Sequence, residues 1–254
     1  MPFDRFVHHR TSAWIIAGAL ALGTVCLVQA DLPAASPADQ SGDLTQPLYA
    51  PPKKFAPRAR VGGELRGTDG KDGEVVAIVP DHVALTIKKN PSLNWFISKP
   101  TTHDVIFTLV DTRYIKPLHE GPITPPKADG IYTIDLKAMG LALEPDVQYR
   151  WYVSVIRDPS THAKDTVAGG MIERCEFSAC ASDRDLVLTC ASAEDVMKNA
   201  RAGLWYDAMG CLCNLIDASP KDDKLRRLRA RLLKDVGLNG VAEWDLRALG
   251  APAK

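Results

Sequence analysis

The stretch that decides the fold is 143-LEPDVQYRWYVSVIRDP-159. Tyr149, Trp151, Val153 and Val155 alternate with Arg150, Tyr152 and Ser154, the period-2 pattern of a strand with one buried face. It is the richest aromatic and β-branched run outside the N-terminal leader, so it is expected to be the central strand of an antiparallel core. Tyr149, Trp151 and Val153 are the expected structural core. The L-x-P-x-x-x-Y-x-W spacing resembles an immunoglobulin-like sheet. A Cys…Trp…Cys pattern is missing, so a true immunoglobulin domain is not implied.

Working outward, the same kind of run recurs on both sides. VVAIVP ends at Pro80, VALTI ends at Lys88, and SLNWFIS follows the turn dipeptide Asn90-Pro91. DVIFTLVD sets Val105, Phe107 and Leu109 against Asp104, Ile106 and Thr108. Ile115 to His119 is a weaker strand. GPITPPKADG reads as a Pro-rich loop before IYTIDL, and VAGGMIERCEF follows the central strand. Short strands at this spacing, with no helical period between them, predict an antiparallel immunoglobulin-like β-sandwich over residues 58–179.

From about residue 180 the period changes to 3.6, and 180–254 is expected to be helical, which makes the fold class α+β. Leu186 to Leu188 suggest a first turn. Ser192 and Asp195 form a variant capping box opening SAEDVMKNARAG, which Gly203 breaks. LWYDAMGCLCNLIDAS carries Leu204, Ala208, Leu212 and Leu215 on one face. Ser219-Pro220 is expected to cap a further helix striped by Leu225, Leu228, Leu232, Leu233 and Val236, with Gly237 as its stop. Arg226, Arg227, Arg229 and Arg231 on it read as a solvated face. Ala208, Leu212, Leu215 and Pro220 have the spacing of a tetratricopeptide second helix. One such hairpin cannot cover its own apolar face, so the tail should dock on the sandwich.

The N-terminal segment has its own logic. Arg5, His8, His9 and Arg10 precede an apolar run from Trp14 to Val28, and Val28-Gln29-Ala30 offers a cleavage site before Asp31. Residues 1–30 therefore read as a secretory signal peptide, too short in its apolar part to span a membrane. Residues 31–57, rich in Pro, Ala, Ser and Gln, read as a disordered linker. The chain is expected to be periplasmic or secreted, with no membrane span after signal cleavage. Without the leader it has 29 basic and 30 acidic residues, a balance that offers no argument for nucleic acid.

Five cysteines remain beyond the leader: Cys175, Cys180, Cys190, Cys211 and Cys213. An oxidising compartment permits bridges, and an odd count leaves one thiol over. Cys175 and Cys180 are a possible disulfide closing a short loop. Cys211 and Cys213, two apart on a helix, diverge and do not bridge each other. No CxxC pair, HxH or HExxH is present, so no metal is expected, and no cofactor. The glycines of PRARVGGELRGTDGKDG match neither phosphate-loop spacing. No GxSxG elbow occurs. The Asp158–Asp165 loop lacks the spacing of a calcium loop and reads as a turn.

Several pieces in this order resemble one bacterial family: PRARVGGELRG, AIVPDHVALTIKKNPSLNWFIS, YRWYVSVIRDP, GGMIERC, AGLWYDAM and LLKDVGL. The family is known only as domain of unknown function 928, and the resemblance spans about Pro57 to Leu238. It implies a secreted protein of unassigned function, common in cyanobacteria, whose genes often neighbour those of secreted adhesin-like or repeat-containing proteins. The family brings no catalytic residues. Members often carry a Cys in the Gly-rich segment and another before the Asp-Pro. Here neither is present, and Arg157 holds the second place.

Two functions follow as expectations. The first is a non-enzymatic interaction or accessory protein of the cell envelope, binding an unidentified envelope or secreted protein. The second is a hydrolase or carbohydrate-active enzyme using the acidic residues of the 158–165 loop. Two carboxylates converging in a pocket would mark the enzyme, and an apolar strip would mark the binder.

Overall fold

The computed structural model describes residues 46–52, 59–62, 73–158, 160–161, 165–176 and 189–250. These belong to one compact unit, residues 43–254. Among the described residues it is an α+β fold of eight strands in two sheets followed by four helices. The strands are β1 (Val75–Ala77), β2 (Ala84–Thr86), β3 (Ser92–Ile97), β4 (Asp104–Asp111), β5 (His119–Ile123), β6 (Gly130–Asp135), β7 (Gln148–Ile156) and β8 (Thr166–Arg174). The helices are α1 (Ala193–Arg201), α2 (Trp205–Ala218), α3 (Asp223–Asp235) and α4 (Asn239–Gly250).

The smaller sheet has the order β1-β3-β6 and the larger β2-β8-β7-β4-β5. β7 sits at the centre of the larger sheet, between β8 and β4, as its alternation predicts. Tyr149, Trp151, Val153 and Val155 are buried, and Val105, Phe107 and Leu109 face the same core from β4. At the corner before β7 the Glu144 N–H donates to the Tyr149 hydroxyl at 3.0 Å. β8 approaches β7 closely at Gly169, where a Cβ would lie 2.3 Å from the Trp151 carbonyl oxygen. Only glycine fits a contact that short.

Two strand expectations need correction. One ladder is parallel, β2 on β8. Pro80 lies between β1 and β2, and the chain passes there from the edge of one sheet to the edge of the other. The fifth strand is not Ile115 to His119 but His119–Ile123, which runs into the segment read as a Pro-rich loop at Gly121 to Ile123. Pro122 is tolerated because β5 is an edge strand that pairs only with β4.

The helices belong to the same core as the sheets. Ser192 caps α1 through its Oγ, which accepts from Asp195 N at 3.3 Å, and Asp195 Oδ2 accepts from Ala191 N at 2.9 Å. α2 is enclosed, with Trp205 to Cys213 buried without interruption. Trp205 Nε1 donates to the Ile78 carbonyl at 2.8 Å, and the Tyr206 hydroxyl accepts from Trp151 Nε1 at 2.8 Å and donates to Met171 O at 3.0 Å. α2 thus ties β7, β8 and the end of β1 together.

Further corrections follow. α3 is capped by Asp222, whose carboxylate accepts from Lys224 N at 2.9 Å, and not by Ser219-Pro220. Arg229 is not on a solvated face: it is buried against Asp245 of α4, with Nε–Oδ2 and Nη2–Oδ1 both 2.7 Å. α4 itself carries no strong period in the sequence, and the hairpin expected from the sequence is in fact part of a four-helix set. The linker expected to run to residue 57 is already structured by residue 48. Leu48 and Tyr49 are buried, and their N–H groups donate to Asp235 Oδ2 at 2.7 and 3.1 Å. Tyr49 packs edge-on to Trp205 at 5.1 Å, which gives this strap an apolar anchor. The leader and the expected turn at Leu186–Leu188 lie outside the described residues. Among the described residues no helix is long and apolar enough to cross a membrane.

Candidate functional site

The two margins of the sheet pair differ. Along the β1–β2 side, α2 fills the gap with Trp205 and Tyr206. Along the β5–β6 side a groove of about 720 Å³ remains. β6 pairs only with β3 and β5 only with β4, so both edges flanking the groove are free among the described residues. Trp95 and Tyr132 are cross-strand partners on one face, with ring centroids 5.6 Å apart, and both line the groove. Ile123, Pro125 and Pro126 form the opposing wall. The Pro126 carbonyl accepts from Thr101 N at 3.0 Å, which pins this wall to the β3–β4 connection. Beyond β6 the chain turns back through Met139 N to Asp135 O, 3.2 Å, and Met139 closes the far end.

The groove adjoins a second hollow of about 430 Å³ through Pro126 and Lys127, which line both. The second hollow carries Lys99, His103, Lys127 and Arg157, and among the described residues no carboxylate lines it. Arg157 is held in place there. Its Nε donates to Thr166 Oγ1 at 3.0 Å and its Nη2 to the Gly73 carbonyl at 3.3 Å.

A third surface is the β4–β5 turn, where Tyr114, Ile115 and Leu118 are exposed. Its base is tied by Arg113, which donates to Asp111 Oδ2 at 2.6 Å and to Glu144 Oε2 at 2.8 Å. The hydrogen bonds from Arg113 hold the Asp111 carboxyl below its usual range.

The expected site residues fall elsewhere. Tyr149, Trp151 and Val153 are core, away from both hollows. Asp158 and Asp165 are spent on the local turn. Asp158 Oδ1 accepts from Ser160 N at 3.0 Å and from Ser160 Oγ at 2.6 Å, and Asp165 Oδ1 from Arg157 N at 3.2 Å. Among the described residues neither hollow brings two carboxylates together: Asp135 is the single one lining the groove. Cys175 is disulfide-bonded, and Cys180, its expected partner, lies outside the described residues. Cys190 bridges Cys211, tying the segment before α1 to α2, and Cys213 is a free buried thiol. Burial pushes the Cys213 thiol up in pKa, so it is not a ready nucleophile. Residues 63–72 of the Gly-rich segment are outside the described residues. Among the described residues no three His, Cys, Asp or Glu side chains gather as a metal site.

Sequence reasoning missed the groove because its lining comes from β3, β5, β6, the loop between the last two and the turn after β6. The one local signal was the run Pro122, Pro125, Pro126, which marks a wall without backbone donors.

The architecture is a two-sheet α+β domain with a helical C-terminal part. The model of the family described as Domain of Unknown Function (DUF928) matches residues 61–246, and the chain belongs to that family. No curated protein matches the chain. Among solved structures it is similar to that of Astrotactin-2, described as a conserved vertebrate-specific and perforin-like membrane protein involved in neuronal development. The identity is 13%, the match covers 75% of this chain and 40% of that one, and the TM-score is 0.24. The chain thus spans less than half of that protein's matched chain, and a likeness this low supports no argument about fold or function.

Proposed function

We propose that the chain is a non-enzymatic interaction or accessory protein of the cell envelope, an immunoglobulin-like sandwich with a built-in helical part. The observation that carries the interaction reading is the groove along the β5–β6 margin, apolar in its walls and bordered by free strand edges. Open edges and apolar clefts are where soluble domains take partners. The rival enzyme reading loses its residues, because Asp158 and Asp165 are engaged in a turn.

Three observations favour the finer fold assignment. The strand orders pair a β1-β3-β6 sheet with a five-stranded one, the Tyr149 hydroxyl bonds back to the backbone at the β6–β7 corner, and Trp151 is buried in the central strand. The tetratricopeptide-like spacing applies to α2 and α3 as a hairpin packed into the core, since Trp205 to Cys213 of α2 are buried without interruption.

The Cys190–Cys211 disulfide favours an oxidising compartment, periplasmic or extracellular. The Trp14–Val28 run and Ala30 supply the route, with cleavage before Asp31. We also assign Cys175 and Cys180 to one bridge.

The test is capture from an envelope extract with the oxidised mature chain as bait, with the reduced, unfolded chain as control. A partner recovered reproducibly by the folded chain alone is the expected result. Recovery of nothing beyond the control overturns the interaction reading. A secreted chain still beginning at Met1 overturns the leader.

A further inference from the structure

We propose that the groove seats the apolar β4–β5 turn, Tyr114 to Leu118, of a second copy of this chain. The inference rests on the interaction reading and names a partner for the same groove. The turn comes first. Tyr114, Ile115 and Leu118 are 63%, 102% and 51% exposed, three large apolar side chains on one short turn. Apolar side chains clustered in water mark a contact surface. The turn is also braced from below. Tyr114 N donates to Asp111 O at 3.0 Å and Leu118 N to Leu109 O at 2.8 Å. The Arg113 guanidinium, held by Asp111 and Glu144, lies 5.5 Å from the Tyr114 ring centroid. A prong shaped in advance loses little freedom on docking.

The groove comes second. Trp95, Ile123, Pro125, Tyr132 and Met139 give it apolar walls, and about 720 Å³ is room for more than one prong side chain. The prong does not reach the groove of its own chain. β5 begins at His119, beside the prong, and ends at Ile123, in the groove wall. Its ladder to β4, with His119 opposite Leu109 and Ile123 opposite Val105, holds the two at opposite ends of one hairpin. They are about 13 Å apart along the strand at ~3.3 Å per residue. The prong therefore docks on another copy.

Charge comes third and sets the orientation. Between Thr112 and His119 the chain carries Arg113 and Lys116 and no carboxylate. Arg113 is engaged at the base, so Lys116, exposed between Ile115 and Leu118, is the cation that enters with the apolar tip. Asp135, exposed at the end of β6, is the carboxylate that lines the groove among the described residues. Its Oδ1 accepts from Lys137 N at 2.8 Å, and a carboxylate has capacity for a further donor. Lys127 lines the groove from the other end, before β6 begins. Lys116 is therefore directed to the Asp135 end.

Sedimentation of the oxidised chain at increasing concentration tests this. A contact this small should be weak, with a dissociation constant on the order of 0.1 mM, and the mean mass should rise with concentration. Ile115→Asp, at a fully exposed side chain, should weaken assembly about tenfold or more. Ala138→Arg, at an exposed position lining the groove, should do the same. Mixed together, these two variants should form a one-to-one pair, because one keeps its groove and the other keeps its prong. Lys116→Glu should weaken assembly about threefold, and Asp135→Lys in the same chain should restore it. A native chain that stays monomeric, a mixture that does not pair, or no restoration by the second charge overturns the assignment. Flotation of a monomeric chain with phosphatidylethanolamine–phosphatidylglycerol vesicles, lost in Ile115→Asp, gives the prong to a bilayer and also overturns it. An envelope partner captured by a chain that stays monomeric leaves the interaction reading standing and removes this one. Assembly without any captured partner does the reverse.

Discussion

Strand β7 and helix α2 are both at the centre of the molecule, yet they look unlike each other as sequence. β7 alternates because its outer face meets neighbours only partly, and Arg150 on that face is exposed. α2 has an outer face only towards its C-terminal end, at Asn214, Asp217 and Ala218. The sheets lie against one side, α1 and α3 against others, and nine consecutive residues are buried. An enclosed helix loses the polar stripe that amphipathic patterning looks for. The two elements meet at the Trp151–Tyr206 hydrogen bond, 2.8 Å, where the polar atom of each large aromatic satisfies the other. Depth of burial, and not regularity of pattern, makes them equivalent.

The sharpest way to break that equivalence is to truncate one tryptophan on each side. Trp151 and Trp205 both have 0% exposure. Trp151→Ala and Trp205→Ala should each cost about 3–5 kcal/mol, read as the denaturation midpoint. A cost for Trp205→Ala below about 1 kcal/mol would reduce α2 to an appendage. Asp245→Ala tests the helices away from the sheets. It leaves Arg229 charged and buried without its carboxylate, and should also cost about 3–5 kcal/mol. Preserved stability would show that water reaches Arg229.

The Cys190–Cys211 bridge spans 21 residues. A Cys190→Ala substitution should lower stability by about 3 kcal/mol, which a melting comparison under non-reducing conditions will read. Ser192→Ala removes a single cap at the margin of α1 and should cost about 1 kcal/mol.

The smallest effect is a pH dependence. Burial raises the Asp207 carboxyl, against the opposing pull of Lys88, Thr86 and the Ile87 amide. A carboxyl raised on folding binds its proton more tightly in the native state. Its contribution is therefore full below the unfolded value of about 3.9 and is lost as pH rises through the folded value. Relative to Asp207→Asn, the native chain should gain stability as pH falls from neutral toward that value. Asp111 works the other way: Arg113 lowers it, and its contribution is lost on acidification. Melting curves of Asp207→Asn, Asp111→Asn and the native chain against pH separate the two, and parallel curves for Asp207→Asn and native would rule out the Asp207 effect.

What the sequence by itself determined is the set of elements whose environment is one-sided. Alternation in 105–109 and 149–155 marks strands with one face in the core, and Ser192, Asp195 and Gly203 bracket α1 through local hydrogen bonding and backbone freedom. Tyr149, Trp151 and Val153 are core for the reason their spacing states. Family membership was legible in the same way, from ordered short motifs. Whatever depends on two distant segments meeting was left to the tertiary structure. Arg229 reads as solvated until Asp245 of a different helix reaches it, and Tyr49 reads as linker until Trp205 and Asp235 give its side chain and amide a place. Cys211 acquires a partner 21 residues away. The groove exists only because α2 seals one margin of the sheet pair and nothing described seals the other. Periodicity reports the contrast between two faces of a single element, and it carries no information on which other element supplies the contact.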